Sequence, residues 1–423
     1  MMSEQPPPNE IKVRQSPYIA LKYPQFVAYM FANSLFTMAL LIQEVILGYE
    51  LYKITHDPLA LGLIGLAEAL PYISLALFGG HFADRRNKKN ILMVSLSVII
   101  LGSVILVWAT HSSAKLAHEQ MLFLIYSVIF LIGLAKGFYS PASSSLNPFL
   151  VPIEVFANAT TWSSSFWQAG AILGPGLAGF LYAYLGLTHS LWVVTGLLLV
   201  VMILISTITA PPIPEQKEEK VNIFKSLKEG IVFVFKTKII LYSISLDLFS
   251  VLFGGVIALL PIFAEDILKV GAEGLGILRA APSVGAILTM FVMVYFPPLN
   301  NAWRNLLLAV VGFGLATLVF ALSTNFWLSV IALFLTGAFD SVSVIIRQTV
   351  LRFFTPDEMR GRVSAVNGIF VSSSNELGAF ESGLLAKLMG TIPSVVFGGA
   401  MTVIIVSVVW LRSKELFKMK IAH

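Results

Sequence analysis

GPGLAGFLYAYLG at 174–186 returns 204 residues later as GAFESGLLAKLMG at 378–390, with glycine first, sixth and last in both. The same offset carries Pro152 and Glu154 onto Pro356 and Glu358, and Gly133 onto Gly337. Nearer the start it drifts, so that Leu61-Gly62 answers Leu275-Gly276. Spacing preserved across helices and the loop between them divides the 423 residues into two halves of one plan.

The solvent of those halves is lipid. Hydrophobic residues make up 57% of the chain and Asp, Glu, Lys and Arg only 12%, about half the charged share of a soluble domain. The mean hydropathy is +0.84. Disordered, nucleic-acid-binding and disulfide-rich secreted classes are excluded. Cysteine is absent, so there are no disulfides, thiolate metal sites or cysteine nucleophiles. The six histidines fall in loops or at span ends, which speaks against an intramembrane metal site or histidine relay. No GxxxxGK[ST], HExxH or GxSxG occurs, so neither ATP-driven transport by this chain alone nor an enzyme is expected, and no cofactor or metal. The polar start MMSEQPPPNEIKVRQ does not read as a cleaved signal peptide.

Apolar runs predict twelve membrane-spanning helices. In the first half they are α1 25–52, α2 59–83, α3 90–110, α4 121–148, α5 158–186 and α6 188–210. In the second they are α7 239–264, α8 273–296, α9 304–323, α10 326–351, α11 363–387 and α12 391–411. The chain is thus expected to run as an N-terminal segment 1–24, a six-helix half 25–210, a connector 211–238, a second half 239–411 and a tail 412–423. The middle of the connector reads equally as an amphipathic surface helix or a plain linker. With both termini cytoplasmic, 21 of the 28 Lys and Arg lie on the cytoplasmic side and four outside, a firm positive-inside signal. Parallel halves related by an axis along the membrane normal suit alternating access.

After α2 comes GGHFADRRNKKN at 79–90, in which Gly80, Asp84, Arg85, Lys88 and Lys89 stand in the pattern G-x-x-x-D-R-x-x-[RK]-[RK]. This resembles the loop signature of the major facilitator superfamily. Asn87 replaces the usual glycine, which leaves the tight turn there open. The resemblance implies that Asp84 and Arg85 latch the halves on the cytoplasmic side, against the start of α11 with Arg360 and Arg362. Gly170, Gly174, Pro175 and Gly179 of α5 look like the superfamily's antiporter motif, with Ala178 in place of one small residue. Small residues four apart allow close helix approach and Pro175 permits a bend; generic packing is the plainer reading of the same residues. DPLALGLIGLAEALP (57–71) and the stretches 247–286 and 346–383 are similar to the branch that includes the enterobactin exporter and macrolide efflux proteins. The likeness covers nearly the whole chain. It implies the twelve-helix fold with α1, α4, α7 and α10 lining a central cavity and α2, α5, α8 and α11 joining the halves.

Charges at bilayer depth are costly unless paired or hydrated, and so are functional candidates. The acids are Glu44, Glu68, Asp247, Asp340, Glu376 and Glu381; the bases are Lys136, Arg279 and Arg347. At least three carboxyls must therefore lack a buried cation. An unpaired, desolvated carboxyl can load and release a proton, and Glu68, Asp247 and Glu376 are the first candidates. Internal ion pairing is the plainer reading for about half of these residues. The repeat sets Lys136 opposite Asp340, which predicts a charge pair across the cavity; pairing of Asp340 with Arg347, two turns along the same face, is the alternative. The aromatics Phe138, Tyr139, Trp162, Phe166 and Trp167 read as packing or interfacial residues before substrate platforms.

Together these readings predict an all-α integral membrane protein of the bacterial inner membrane, a monomer exchanging protons for a small amphipathic solute such as a siderophore or drug. Its partners are that solute, protons and membrane lipids, with no nucleic acid. A lipid or lysolipid translocator on the same scaffold, or a non-transporting sensor, are the alternatives.

Overall fold

The computed structural model describes residues 16–111, 117–209, 223–356 and 359–418. Side chains at 76–85 and 223–227, and at 157, 365, 369, 372 and 418, lie outside the description, which removes those of Gly80, Asp84 and Arg85. Among the described residues every regular element is helical.

α1 runs Pro24–Thr55, α2 Pro58–Arg85, α3 Lys88–Thr110 and α4 His118–Leu146. Starts are set by local chemistry: Asp57 accepts the Leu59 N–H at 3.0 Å and Pro58 fills the first position of α2. Asn87 caps α3 from an extended backbone with φ −64°, so that turn requires no glycine. α5 and α6 form one run, Phe156–Ser206, broken only at Gly186 with φ +73°. The counterpart of Gly186 in the repeat, Gly390 with φ +93°, separates α11 (Arg360–Met389) from α12 (Thr391–Arg412). Both junctions use a backbone conformation open to glycine.

α7 begins as Lys238–Phe253, is interrupted at Gly254-Gly255, resumes as Val256–Ile262 and widens into a π turn, Phe263–Ile267. α8 is Gly271–Tyr295, α9 Ala302–Leu322 and α10 Phe326–Phe354. The connector contains a helix, Ile223–Lys236. Among the described residues ten stretches are long and apolar enough to cross a membrane, one of them holding both α5 and α6. α11 makes the twelfth span although Asn375, Glu376 and Glu381 and its serines leave it less apolar than the rest.

Helix contacts fall into two sets, within each half and across the seam. Within the halves α1 packs on α5, α2 on α4, and α8 on α10; across the seam α2 meets α11 and α5 meets α8. The repeat recurs in these contacts. Gly133 lies on the α2 backbone at Glu68, and Gly337 on the α8 backbone at Pro282. Gly174 packs within its half on α1, where a Cβ would sit 2.9 Å from the Met38 carbonyl oxygen; Gly378 does the same on α7, 2.8 Å from that of Val251. Five residues on, Gly179 faces Gly276 across the seam and Gly383 faces Gly62.

The start of α1 and the end of α12 lie at one face of the bundle, here the terminal face, and the α1–α2 turn lies at the opposite, far face. One apolar core holds the whole first half together with the far-face portion of the second, through Ala178, Leu275, Leu278 and Phe320. The terminal-face portion of the second half has its own core, around Ile240, Leu306, Val350 and Val406. The halves are fused at the far face and separate at the terminal face.

Candidate functional site

Where the halves separate, a cavity of about 460 Å³ extends from Tyr29 and Ser143 near the terminal face to Glu44 and Glu68. Its wall comes from α1, α2, α4 and α5 of the first half alone. The family resemblance implied α1, α4, α7 and α10 there; among the described residues α7 and α10 contribute nothing to this wall, whereas α2 adds Glu68 and Ile64, and α5 adds Trp167. The aromatic wall is built by packing, with Phe36 stacked on Tyr139 at 4.0 Å between centroids. Tyr29 donates to the Ser143 carbonyl at 3.0 Å. Gln43, only 3% exposed, lines the same cavity with no hydrogen-bond partner on its side-chain oxygen. Sequence inspection passed over Gln43 because it carries no charge.

The intramembrane charges assemble as three pairs. Lys136 of α4 binds Glu68 of α2. Arg279 of α8 faces Glu44 of α1 at 3.7 Å across the seam. Arg347 of α10 binds Asp247 of α7, both deeply buried. Two expected partnerships are therefore corrected. Lys136 is matched inside its own half and not by Asp340, because α2 lies against α4 while α10 is beyond the cavity. Arg347 reaches to α7 and leaves Asp340 beside Ser343 and Phe313. Among the described residues Asp340, Glu376 and Glu381 have no cation partner; Glu381 is met by the Ser382 hydroxyl at 3.4 Å.

The far face is closed by contacts that the sequence did not single out. Lys387 at the end of α11 reaches Asp57 at 2.7 Å. Tyr49 and Tyr52 of α1 donate to Glu265 and Asp266 in the π turn of α7. Partial burial works to raise the Asp57 carboxyl, but the Lys387 ammonium and the Leu59 N–H outweigh it and hold the group below the usual carboxylate range. The available signal was the placement of Lys387 and Asp57 at opposite ends of helices expected to share the seam.

At the terminal face the loop signature is partly described. Lys88 is buried over the Phe149 ring at 5.1 Å, and Lys89 donates to the Ser206 carbonyl at 2.6 Å, so both bases serve their own half. Arg362 binds Glu229 of the connector helix at 2.7 Å. The α5 glycines divide their work, with Gly170 and Gly174 against α1 and Gly179 against α8.

A family model described as transmembrane secretion effector matches residues 15–421. The chain is 25% identical over 381 residues to the enterobactin exporter EntS of Escherichia coli O1:K1 / APEC, covering 88% of each. The exporter of that name from Shigella boydii serotype 18 matches equally. Among solved structures, a mutant of the nucleoside transporter NupG superposes with TM-score 0.75 at 11% identity, covering 92% of this chain and 100% of that one. A bacterial homolog of the human lysosomal transporter Spinster, inward-facing and unoccupied, gives 0.69 at 17% identity over 94% and 96%.

Proposed function

The chain belongs to the transmembrane secretion effector family of the major facilitator superfamily, and we propose that it is a proton-coupled exporter of a small amphipathic solute. It is a multi-pass membrane transporter and not an enzyme. The observation that carries the export reading is the cavity that runs from the terminal face to Glu44, Glu68 and Lys136 behind a sealed far face. With the Lys- and Arg-rich terminal face in the cytoplasm, that cavity takes its solute from inside a bacterial cell. The far face then opens outward as bodies 25–210 and 239–411 rock about the seam.

The wall fits an amphipath. Phe36, Tyr139 and Trp167 offer ring surface, while Asn33, Thr37, Gln43 and the serines of α4 offer hydrogen bonds. This favours a solute with polar groups on an aromatic or apolar body over an acyl chain, and siderophores head the candidates because the curated relatives include enterobactin exporters. Coupling is assigned to the carboxyls that lack a cation, since exchange needs a group able to hold one proton at depth. The loop residues Asp84 and Arg85, with Arg360 and Arg362, are the proposed cytoplasmic latch, engaged when the cavity closes on that side.

The test is release of siderophores and antibiotics from proteoliposomes under an imposed pH gradient, after a thermal-shift screen of the same compounds. Gradient-dependent release of at least one ligand is expected. Binding of lysolipids alone, or release indifferent to the gradient, overturns the reading.

A further inference from the structure

Beside the main cavity the seam holds a second one, of about 50 Å³, bounded by Glu44, Gly65 and Glu68 of the first half and by Arg279 and Glu376 of the second. It has room for about one or two waters. Gly65 makes the space: a Cβ there would stand 3.2 Å from the Glu376 carboxylate oxygen and 3.1 Å from the Ala379 Cβ. Glu376 is thus laid directly against α2, at the surface that must part when the far face opens.

The charges around Glu376 do not balance. α1 brings Glu44, α2 Glu68, α4 Lys136 and α8 Arg279. α7, packed on α11 near Val251, brings Asp247, which Arg347 already holds. On α11 itself Glu381 lies five residues on, and the connector helix brings Glu229, held by Arg362, and the exposed Lys228. α12 carries no acidic or basic residue before Arg412. Around the small cavity there are therefore three carboxyls and two cations. Arg279 has a side chain only 9% exposed, an Nε without a hydrogen-bond partner, and a distance of 3.7 Å to Glu44. That is an ion pair beyond hydrogen-bond range. Arg279 keeps an unused Nε donor, and the carboxylate it faces is that of Glu44.

We propose that Glu376 is the proton-binding group of the seam, whose neutral form lets the far face close and whose ionised form opens it. The inference rests on the proton-coupled reading above and assigns it to one residue. When Glu376 is ionised, one carboxylate of the cluster has no counter-charge in a confined contact, and parting the halves hydrates it fully. A proton taken by the carboxylate oxygen from water on the far side restores neutrality and the seam closes. The proton leaves to water in the main cavity, which shares Glu44 and Glu68 with the small one.

The absence of cysteine makes the test direct. Leu61, 4% exposed and on the small cavity's wall, is replaced by Cys and labelled with an impermeant maleimide from the far side. One linked proton gives at most about a tenfold change in the open-to-closed ratio per pH unit. Labelling is expected to rise with pH across part of the range from about pH 5 to 9, to stay low and flat in Glu376→Gln, and to regain its slope in Glu376→Asp. A pH-independent rate in the parent, an unchanged slope in Glu376→Gln, or a rate that follows sodium at fixed pH overturns the proposal. Gradient-driven export retained by Glu376→Gln removes this assignment alone, whereas a parent protein indifferent to the gradient removes the proton-coupled reading itself.

Discussion

Lys136 and Glu68 face each other in the cavity wall, so removing either strands the other's charge at depth. Breaking a buried pair from one side costs on the order of 3–5 kcal/mol. Lys136→Ala and Glu68→Ala are expected to be non-additive in thermal unfolding, with a coupling of about 0.5–3 kcal/mol. Lys136→Ala with Asp340→Ala should be additive; equal coupling in the two cycles would reject the observed pairing. The sequence revealed which residues are charged at depth but not who meets whom. A repeat matches Lys136 with Asp340 as equivalent positions, and equivalence is not contact. Helical spacing puts Asp340 and Arg347 on one face without saying that α7 supplies the acid. Gln43 offers a further check at this scale. An unpartnered buried oxygen costs about 1–3 kcal/mol, so Gln43→Leu should hold or raise the melting temperature while shrinking the shift produced by a transported ligand. A full ligand shift in that variant removes Gln43 from the binding wall.

Helices and their joints follow more closely from composition. A Cβ added at Gly186 would meet nothing within 4 Å, so the need for glycine there is purely the positive φ. Gly186→Ala and Gly390→Ala should each lose about 1–2 kcal/mol of stability. Gly196→Ala, equally uncrowded but helical, should gain up to about 1 kcal/mol; thermal denaturation in detergent separates the three. Gly179→Ala acts elsewhere, since its Cβ would fall 2.5 Å from the Gly276 Cα across the seam. It should leave the fold standing and raise far-face labelling, and unchanged labelling would show that the contact gives way by other means. Apolar runs and Gly or Pro punctuation located all twelve spans to within a few residues, because length and hydropathy are local properties. The break at Gly254-Gly255 was not legible, since it is imposed by α11, whose Gly378 and Ser382 press on Gly255.

At the scale of the whole molecule, closure of the far face rests on apolar fusion with one polar clasp. The Asp57–Lys387 bridge is partly exposed, and such bridges contribute about 0–1 kcal/mol. Because the folded-state pKa of Asp57 is depressed, the contribution is complete above the unfolded value of about 3.9 and fades as pH falls through the folded one. The clasp therefore stays fastened near neutrality, and any pH response there must arise deeper in the seam. Lys387→Ala is expected to raise Leu61→Cys labelling by no more than about fivefold, without adding a slope near pH 7; a new slope would place the sensor at the clasp. The single-residue junction at Gly390 also has a consequence for how the protein is made. α11 is too polar to enter lipid readily by itself, and it is tied without any loop to strongly apolar α12. The two helices must leave the translocon as one hairpin, the second carrying the first into the bilayer. Chains halted after Gly390 during synthesis should keep α11 open to protease, and chains extended through α12 should protect it.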